Sequence, residues 1–184
     1  MRLISGKWGG RVLQVPPGEA TRPTADRTRE ALFSILTSRI GSFEGLAVAD
    51  IFAGTGALGL EAMSRGAATC TFVEQDRDAL KALKANLAML DARADVIPSS
   101  VASLGVSRRA FDLLMFDPPY GTGGAGALIE KLTRLGWAQP SAWASVETHH
   151  DESVSADGWA VEVERSYGIA KLSVLARAMP AQPD

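Results

Sequence analysis

Ala47-Val-Ala-Asp-Ile-Phe-Ala-Gly-Thr-Gly-Ala-Leu-Gly59 decides how the rest of the chain is read. Ala47 to Phe52 is a short apolar run that reads as a buried strand. Gly54 and Gly56 allow a sharp turn and bring bare backbone close to a ligand. Ala57 to Arg65 reads as a helix, with Leu58, Leu60, Ala62 and Met63 as its apolar positions. Strand, glycine turn and helix form the nucleotide-binding corner of a doubly wound α/β sheet. Glu74 follows at the end of a second apolar run, Ala68 to Val73, where a carboxylate can accept hydrogen bonds from both hydroxyls of a ribose.

The glycine spacing alone fits a dinucleotide enzyme equally well, because Gly54, Gly56 and Gly59 stand in the G-x-G-x-x-G pattern. Asp50 is more telling. It lies inside an apolar strand near the ligand mouth, and a charge there needs a reason.

The 184 residues suit one domain, with 46% hydrophobic and 22% charged residues typical of a globular protein. An N-terminal extension of residues 1–40 would precede a catalytic core over 41–178 and a frayed tail over 179–184. No window approaches the roughly 18 consecutive apolar residues of a membrane span. The N-terminus lacks a signal-peptide core, so a cytoplasmic protein is expected, and it is expected to be a monomer. The single cysteine, Cys70, excludes an intrachain disulfide and reads as a small buried residue. The net charge of −2 conceals an asymmetry: residues 1–39 hold seven basic side chains against three acidic, and the remainder twelve against eighteen. A basic front on an acidic body suits a polyanionic partner.

At the N-terminus, Arg2 to Ser5 and Arg11 to Val15 read as two strands of a hairpin with a glycine-rich tip. Lys7 and Arg11 flank Trp8, which is suited either to the core or to stacking on a base. Thr24 or Asp26 is the expected cap of a helix running to about Ser38, with Ala31, Leu32, Ile35 and Leu36 inward. Arg22, Arg27 and Arg29 crowd its first turns against the preference of the helix dipole. Phosphate binding, or pairing with Asp26 and Glu30, would explain them. Further on, Asp76 to Leu90 and Ala127 to Leu135 read as helices. Ala94 to Pro98, Phe111 to Phe116, Ala142 to Glu147, Trp159 to Ser166 and Ile169 to Ala176 read as strands, the last two an antiparallel pair.

Asp117-Pro-Pro-Tyr120 closes the fourth of these strands, and sheet ligands bind at the carboxyl ends of strands. Two prolines fix an extended backbone and remove two N–H groups. The Asp117 carboxylate and the Pro118 carbonyl then stand as paired acceptors, suited to the two donors of an exocyclic amine. Pro119 completes the rigid turn, and Tyr120 offers a ring face to a planar base. Hydrogen bonds accepted from both N–H groups favour a localised lone pair on a nitrogen that is otherwise a poor nucleophile. S-adenosylmethionine brings its own electrophilic methyl, so no metal is required.

Asp50-Ile-Phe-Ala-Gly-Thr-Gly, Glu74 and Asp117-Pro-Pro-Tyr, in that order, resemble class I S-adenosylmethionine-dependent amino-methyltransferases. With Ile4-Ser-Gly-Lys-Trp-Gly-Gly-Arg-Val-Leu, Arg22-Pro-Thr-Ala-Asp-Arg-Thr-Arg-Glu and the stretch from Gly54 to Ala67, the chain is similar to the RsmD-type small-subunit ribosomal RNA guanine-N2 methyltransferases over residues 2–176. The resemblance implies a Rossmann-like, seven-stranded mixed sheet with the last strand antiparallel, and ribosomal RNA as partner. It implies that Asp50, Phe52, Ala53, Gly54 and Gly56 line the methionine side of the cofactor, that Glu74 holds its ribose, and that Asp117 to Tyr120 take the target amine. Lys7, Trp8, Arg11, Arg22, Arg27 and Arg29 would meet RNA. The chain departs from the family in two places. Ser100 stands where relatives often carry a polar or acidic residue toward the adenine, and Gly9 where they often have arginine.

His149 and His150 read as a solvated loop, and no metal is expected. Trp137, Trp143 and Trp159 read as packing residues, and Glu147 borders the expected site mouth without an assigned role. Three other functions fit parts of the sequence: methylation of a DNA base amine, an NAD-linked oxidoreductase that leaves Asp117-Pro-Pro-Tyr unexplained, and a non-catalytic RNA-binding assembly factor.

Overall fold

The computed structural model describes residues 1–16, 23–119 and 124–178, the side chains of Pro23 and Thr24 excepted. Arg22 and Tyr120 lie outside the described residues. Helix α1 (Pro23–Ile40) precedes a run in which strands and helices alternate: β1 (Ala47–Ile51), α2 (Ala57–Ser64), β2 (Thr69–Glu74), α3 (Arg77–Met89), β3 (Asp95–Pro98), β4 (Phe111–Phe116), α4 (Ala125–Arg134) and β5 (Ala138–His149). Strands β6 (Trp159–Tyr167) and β7 (Ala170–Arg177) complete a seven-stranded sheet of order β3-β2-β1-β4-β5-β7-β6. β7 is antiparallel to both its neighbours, and the remaining pairs are parallel. The mixed, doubly wound sheet expected from the sequence is thus present.

The connections explain where a ligand can bind. From β1 the chain winds outward to β2 and β3, whereas β4 lies on the other side of β1. The crevice where the direction reverses, between β1 and β4, is the usual ligand site of such sheets. Central strands β1 and β4 are buried on both faces, as their continuous apolar runs require. One core, holding Val48, Phe72, Leu113 and Met115, packs under α1, α2 and α3. The other, holding Ile51, Leu114, Phe116 and Val146, packs under α4. Trp137 and Trp159 are buried in this second core, Trp143 packs partly against the first, and Cys70 is buried in β2.

Several boundaries differ from the expectation for identifiable reasons. The N-terminal segment folds back on itself as expected, with the N–H groups of Leu3, Gly10 and Leu13 donating to the carbonyls of Arg11, Leu3 and Met1, but the pairing is too short to count as two strands. Arg2 and Val12 form a single antiparallel bridge, and Gly6–Trp8 make a 3₁₀ turn. The Ser5 N–H, which a longer ladder would use, donates instead to the Glu61 carboxylate at 3.1 Å, and the Ile4 N–H, turned away from the pairing, joins it at 2.7 Å. Helix α1 starts at Pro23, ahead of Thr24 and Asp26, because proline is well suited to the first helical position. It continues to Ile40, where Gly41 adopts φ +86°, and its buried stripe includes Phe33, which the sequence pattern did not single out. β5 begins at Ala138 rather than Ala142, across an irregularity opposite Phe111 to Leu113.

Candidate active site

Each glycine of the corner has its own physical reason. Gly54 adopts φ +54° with open space around it, and its N–H donates to Glu74 Oε2 at 2.7 Å. Gly56 adopts φ +84°, and a Cβ there would stand 2.4 Å from Leu83 Cδ1. Gly59 sits inside α2 against β2, where a Cβ would meet Phe72 Cε1 at 2.3 Å and Cys70 Sγ at 2.6 Å. Its N–H donates to Asp50 Oδ2 at 2.8 Å. Phe52, between strand and turn, holds φ 72°, a conformation costly for a bulky side chain and most often retained at functional sites.

Four carboxylates share one face of the sheet. Strand side chains alternate between faces, so Asp50 follows Val48 on β1, Glu74 follows Phe72 on β2, Asp117 follows Met115 beyond β4, and Glu147 follows Trp143 at even spacing on β5. Val48, Phe72 and Met115 belong to the core beneath α1 to α3, and the half-buried Trp143 packs against it. Phe116 is in register with Val146, so Asp117 and Glu147 come level with each other. Asp50 is in register with Phe72 and Met115 and lies one pleat deeper than Glu74 and Asp117. Across β2-β1-β4-β5 the acids therefore run Glu74, Asp50, Asp117, Glu147.

Electrostatics follow from this row. Asp50 is 1% exposed, and its Oδ1 has no hydrogen-bond partner. Burial pushes its carboxyl up to about 8; the Gly59 N–H opposes the shift, and the charges of Asp117 and Glu74 add to it. Asp117 presents surface to the open cleft, yet protein surrounds its carboxyl closely. That desolvation, followed by the charge of Glu147, raises it to about 7. Glu74 is held by backbone on both oxygens, since Oε1 accepts from the N–H groups of Gln75 and Asp76 at 2.7 and 2.8 Å.

A cleft of ≈ 620 Å³ opens over this row, a volume typical of small-molecule sites. Asp50, Phe52, Ala53, Gly54, Glu74, Asp117, Pro118 and Pro119 line it together. Gly56 shapes the turn from behind. Ser100 is not in the wall: its hydroxyl pairs with Ser103 Oγ at 2.8 Å, while Ser99 and Val101 face the cleft. Met1 and Glu147 also line it. Met1 had no sequence signal. Glu147 offered only its place at a strand end.

The basic residues divide. Lys7, Arg11 and Arg27 are exposed, and Lys7 Nζ lies 4.2 Å from the centroid of the half-buried Trp8 ring. Arg29 does not face a partner: it is 5% exposed and donates to the Arg2 carbonyl and to Asp26 Oδ1 at 3.0 Å. Its place at the start of α1 reflects internal pairing, one of the two reasons open from sequence. Three buried polar residues that clamp residues 1–16 to the core carried no sequence signal. Glu61 takes Ile4 and Ser5. Ser64 accepts from the Trp8 N–H at 2.9 Å and donates to the Ser5 carbonyl. Asn86 Oδ1 accepts from the Gln14 N–H, and its Nδ2 donates to the carbonyls of Gln14 and Thr55. His149, His150 and Asp151 bring three donor atoms within 4.8 Å of one another, a proximity that a loop reading did not anticipate. Asp151 is 76% exposed, so water competes for these groups.

Comparison with known proteins agrees with this architecture. The family model described as conserved hypothetical protein 95 matches residues 1–176. The ribosomal RNA small subunit methyltransferase D of Haemophilus influenzae is 38% identical, covering 92% of this chain and 90% of that protein. The protein of that name from Escherichia coli K12 is 36% identical, covering 100% and 93%. A solved structure titled putative methyltransferase yhhF from Escherichia coli superposes with a TM-score of 0.85 at 35% identity, covering 98% of this chain and 99% of that one. With the glycine corner, the acidic row and the Asp117-Pro-Pro turn around one cleft, the chain belongs to the conserved hypothetical protein 95 family, the RsmD-type methyltransferases.

Proposed function

We propose that this chain transfers a methyl group from S-adenosylmethionine to the exocyclic N2 amine of a guanine in small-subunit ribosomal RNA. The observation that carries the reading is the row of carboxylates in which Asp117, opening the Asp117-Pro118-Pro119 turn, follows Glu74 and Asp50 across the crevice between β1 and β4. Relatives at 36–38% identity bear the name of small-subunit ribosomal RNA methyltransferases, which supports the RNA substrate.

The residues suit the cofactor. Glu74 is level with the glycine turn and suited to ribose hydroxyls, and Gly54 gives backbone access beside it. Asp50 leaves one buried oxygen without a partner, as expected of a group completed by a ligand. An acidic row complements a cationic ligand. When bound, S-adenosylmethionine supplies a methyl group on a positively charged sulfur. Asp117 and the Pro118 carbonyl accept from the two N–H groups of the target amine and hold its lone pair toward the cofactor side. The amine loses one proton as it gains the methyl, and a carboxylate raised to about 7 is matched to taking it near neutral pH. Lys7, Arg11 and Arg27 meet the RNA backbone.

Tritiated S-adenosylmethionine incubated with this protein and small ribosomal subunits from cells lacking the gene, followed by digestion to nucleosides, tests the assignment. Label in N2-methylguanosine is expected. Label in another nucleoside, transfer only to DNA, or none at all would refute it.

A further inference from the structure

Glu147 stands at the end of the acidic row with no part in the chemistry above. It lines the same cleft as Asp117 and comes level with it through the Phe116–Val146 register. Order along the sheet matters here. Glu74 and Asp50 take the cofactor side, Asp117 the transferred position, and β5 lies beyond β4 on the side away from the cofactor. A base whose amine reaches Asp117 therefore lays its adjoining edge toward Glu147.

We propose that Glu147 is the residue that selects guanine, its carboxylate accepting the N1–H of the base while Asp117 accepts from the neighbouring amine. This rests on the function proposed above and deepens it. Guanine presents a ring N–H directly beside its exocyclic amine, so two adjacent carboxylates each meet a donor. Adenine and cytosine present an unprotonated ring nitrogen beside theirs, and a carboxylate facing that lone pair repels it. Glu147 is half-buried, and once a base closes over it, the lack of a donor costs more than the missing hydrogen bond alone, because the carboxylate is then desolvated and unpaired. The pairing also explains why two like charges are placed side by side. The charge of Glu147 raises the cost of ionising Asp117 in the free protein, and a base with contiguous donors offsets it.

The test uses the intact protein and small-subunit ribosomal RNA in which the mapped target guanine is replaced, by splinted ligation, with 2-aminopurine. That base keeps the 2-amine and lacks N1–H. Wild type is expected to favour guanine by on the order of 10²-fold or more in kcat/KM, in line with sites built to bind a substrate N–H. Glu147→Gln, whose carboxamide can accept from or donate to the ring nitrogen, is expected to bring that ratio near one. Glu147→Asp, which keeps the charge, is expected to retain a preference for guanine at reduced rate. A wild-type ratio near one, or an undiminished ratio in Glu147→Gln, overturns the proposal while leaving the methylation itself standing. Failure of wild type to methylate the guanine RNA overturns both readings, and the unsubstituted substrate makes that outcome distinguishable.

Discussion

Asp50 is held by a single backbone N–H in a fold that buries it completely, and its second oxygen is left for a ligand. A carboxyl raised from 3.8 to about 8 is protonated in the folded, ligand-free protein at pH 5 but ionised in the unfolded chain. The folded state thus binds the extra proton between these values, and the stability contributed by that proton is full below about 4 and lost as pH rises through about 8. Asp50→Asn removes the titration. Thermal melts of the free protein should show it several degrees more stable than wild type near pH 8.5 and little different near pH 4, while calorimetry shows weaker cofactor binding. A Tm difference that does not grow with pH would contradict this account of Asp50. For Asp117 the useful form is the ionised one, so kcat/KM should rise through about pH 7 and level off above it. Asp117→Ala should cost on the order of 10²-fold or more in rate, as removal of one oriented polar group does elsewhere, and a pH profile unchanged in shape would count against its role. Asp50, Glu74 and Asp117 were legible because an acid at the tip of an apolar strand is conspicuous. Glu147 was legible by place, as an acid at the end of a strand beside the expected mouth, but not by role, since nothing in its local sequence says what it meets. Arg29 was open to two readings, because only the fold brings the Arg2 carbonyl to it.

Among the elements, α2 links the cofactor corner to the N-terminal segment. Its first residues follow the glycine turn, Gly59 anchors Asp50, and one turn further Glu61 and Ser64 hold the segment that carries Lys7 and Trp8. Glu61 is wholly buried and also pairs with Arg65 Nε at 2.7 Å. Glu61→Ala would leave two backbone donors and a guanidinium without their acceptor, a loss of about 2–4 kcal/mol. Hydrogen exchange should then quicken at Ile4 and Ser5 before the central strands respond; equal protection in both proteins would show that the clamp is not needed. The sheet strands were readable because continuous apolar runs bounded by turns have few alternatives. The N-terminal hairpin is shorter than its pattern suggested because a side chain 56 residues away takes the Ser5 N–H that would extend it, and local pattern carries no information about such a partner.

For the whole molecule, charge is divided between an exposed basic segment and an acidic cleft. A polyanion is attracted by the first and repelled by the second, so under the proposed function a cationic cofactor in the cleft should favour RNA binding. Replacing Lys7, Arg11 and Arg27 with alanine should weaken RNA binding and flatten its salt dependence by roughly one unit of slope for each phosphate no longer neutralised. Filter binding across a salt series checks this, and an unaltered slope would remove the segment from the interface. Sheet order lay beyond local sequence signals, and the resemblance implied only seven strands with the last antiparallel, because β7 enters between β5 and β6 only through long-range pairing. The most direct measurement of the central claim is a crystal structure with S-adenosylhomocysteine bound. The account predicts ribose hydroxyls on Glu74, the ligand sulfur directed toward Asp117 and Pro118, and Asp50 Oδ1 facing the ligand or a water that it holds. A ligand seated elsewhere, or a sulfur facing away from Asp117, would contradict it.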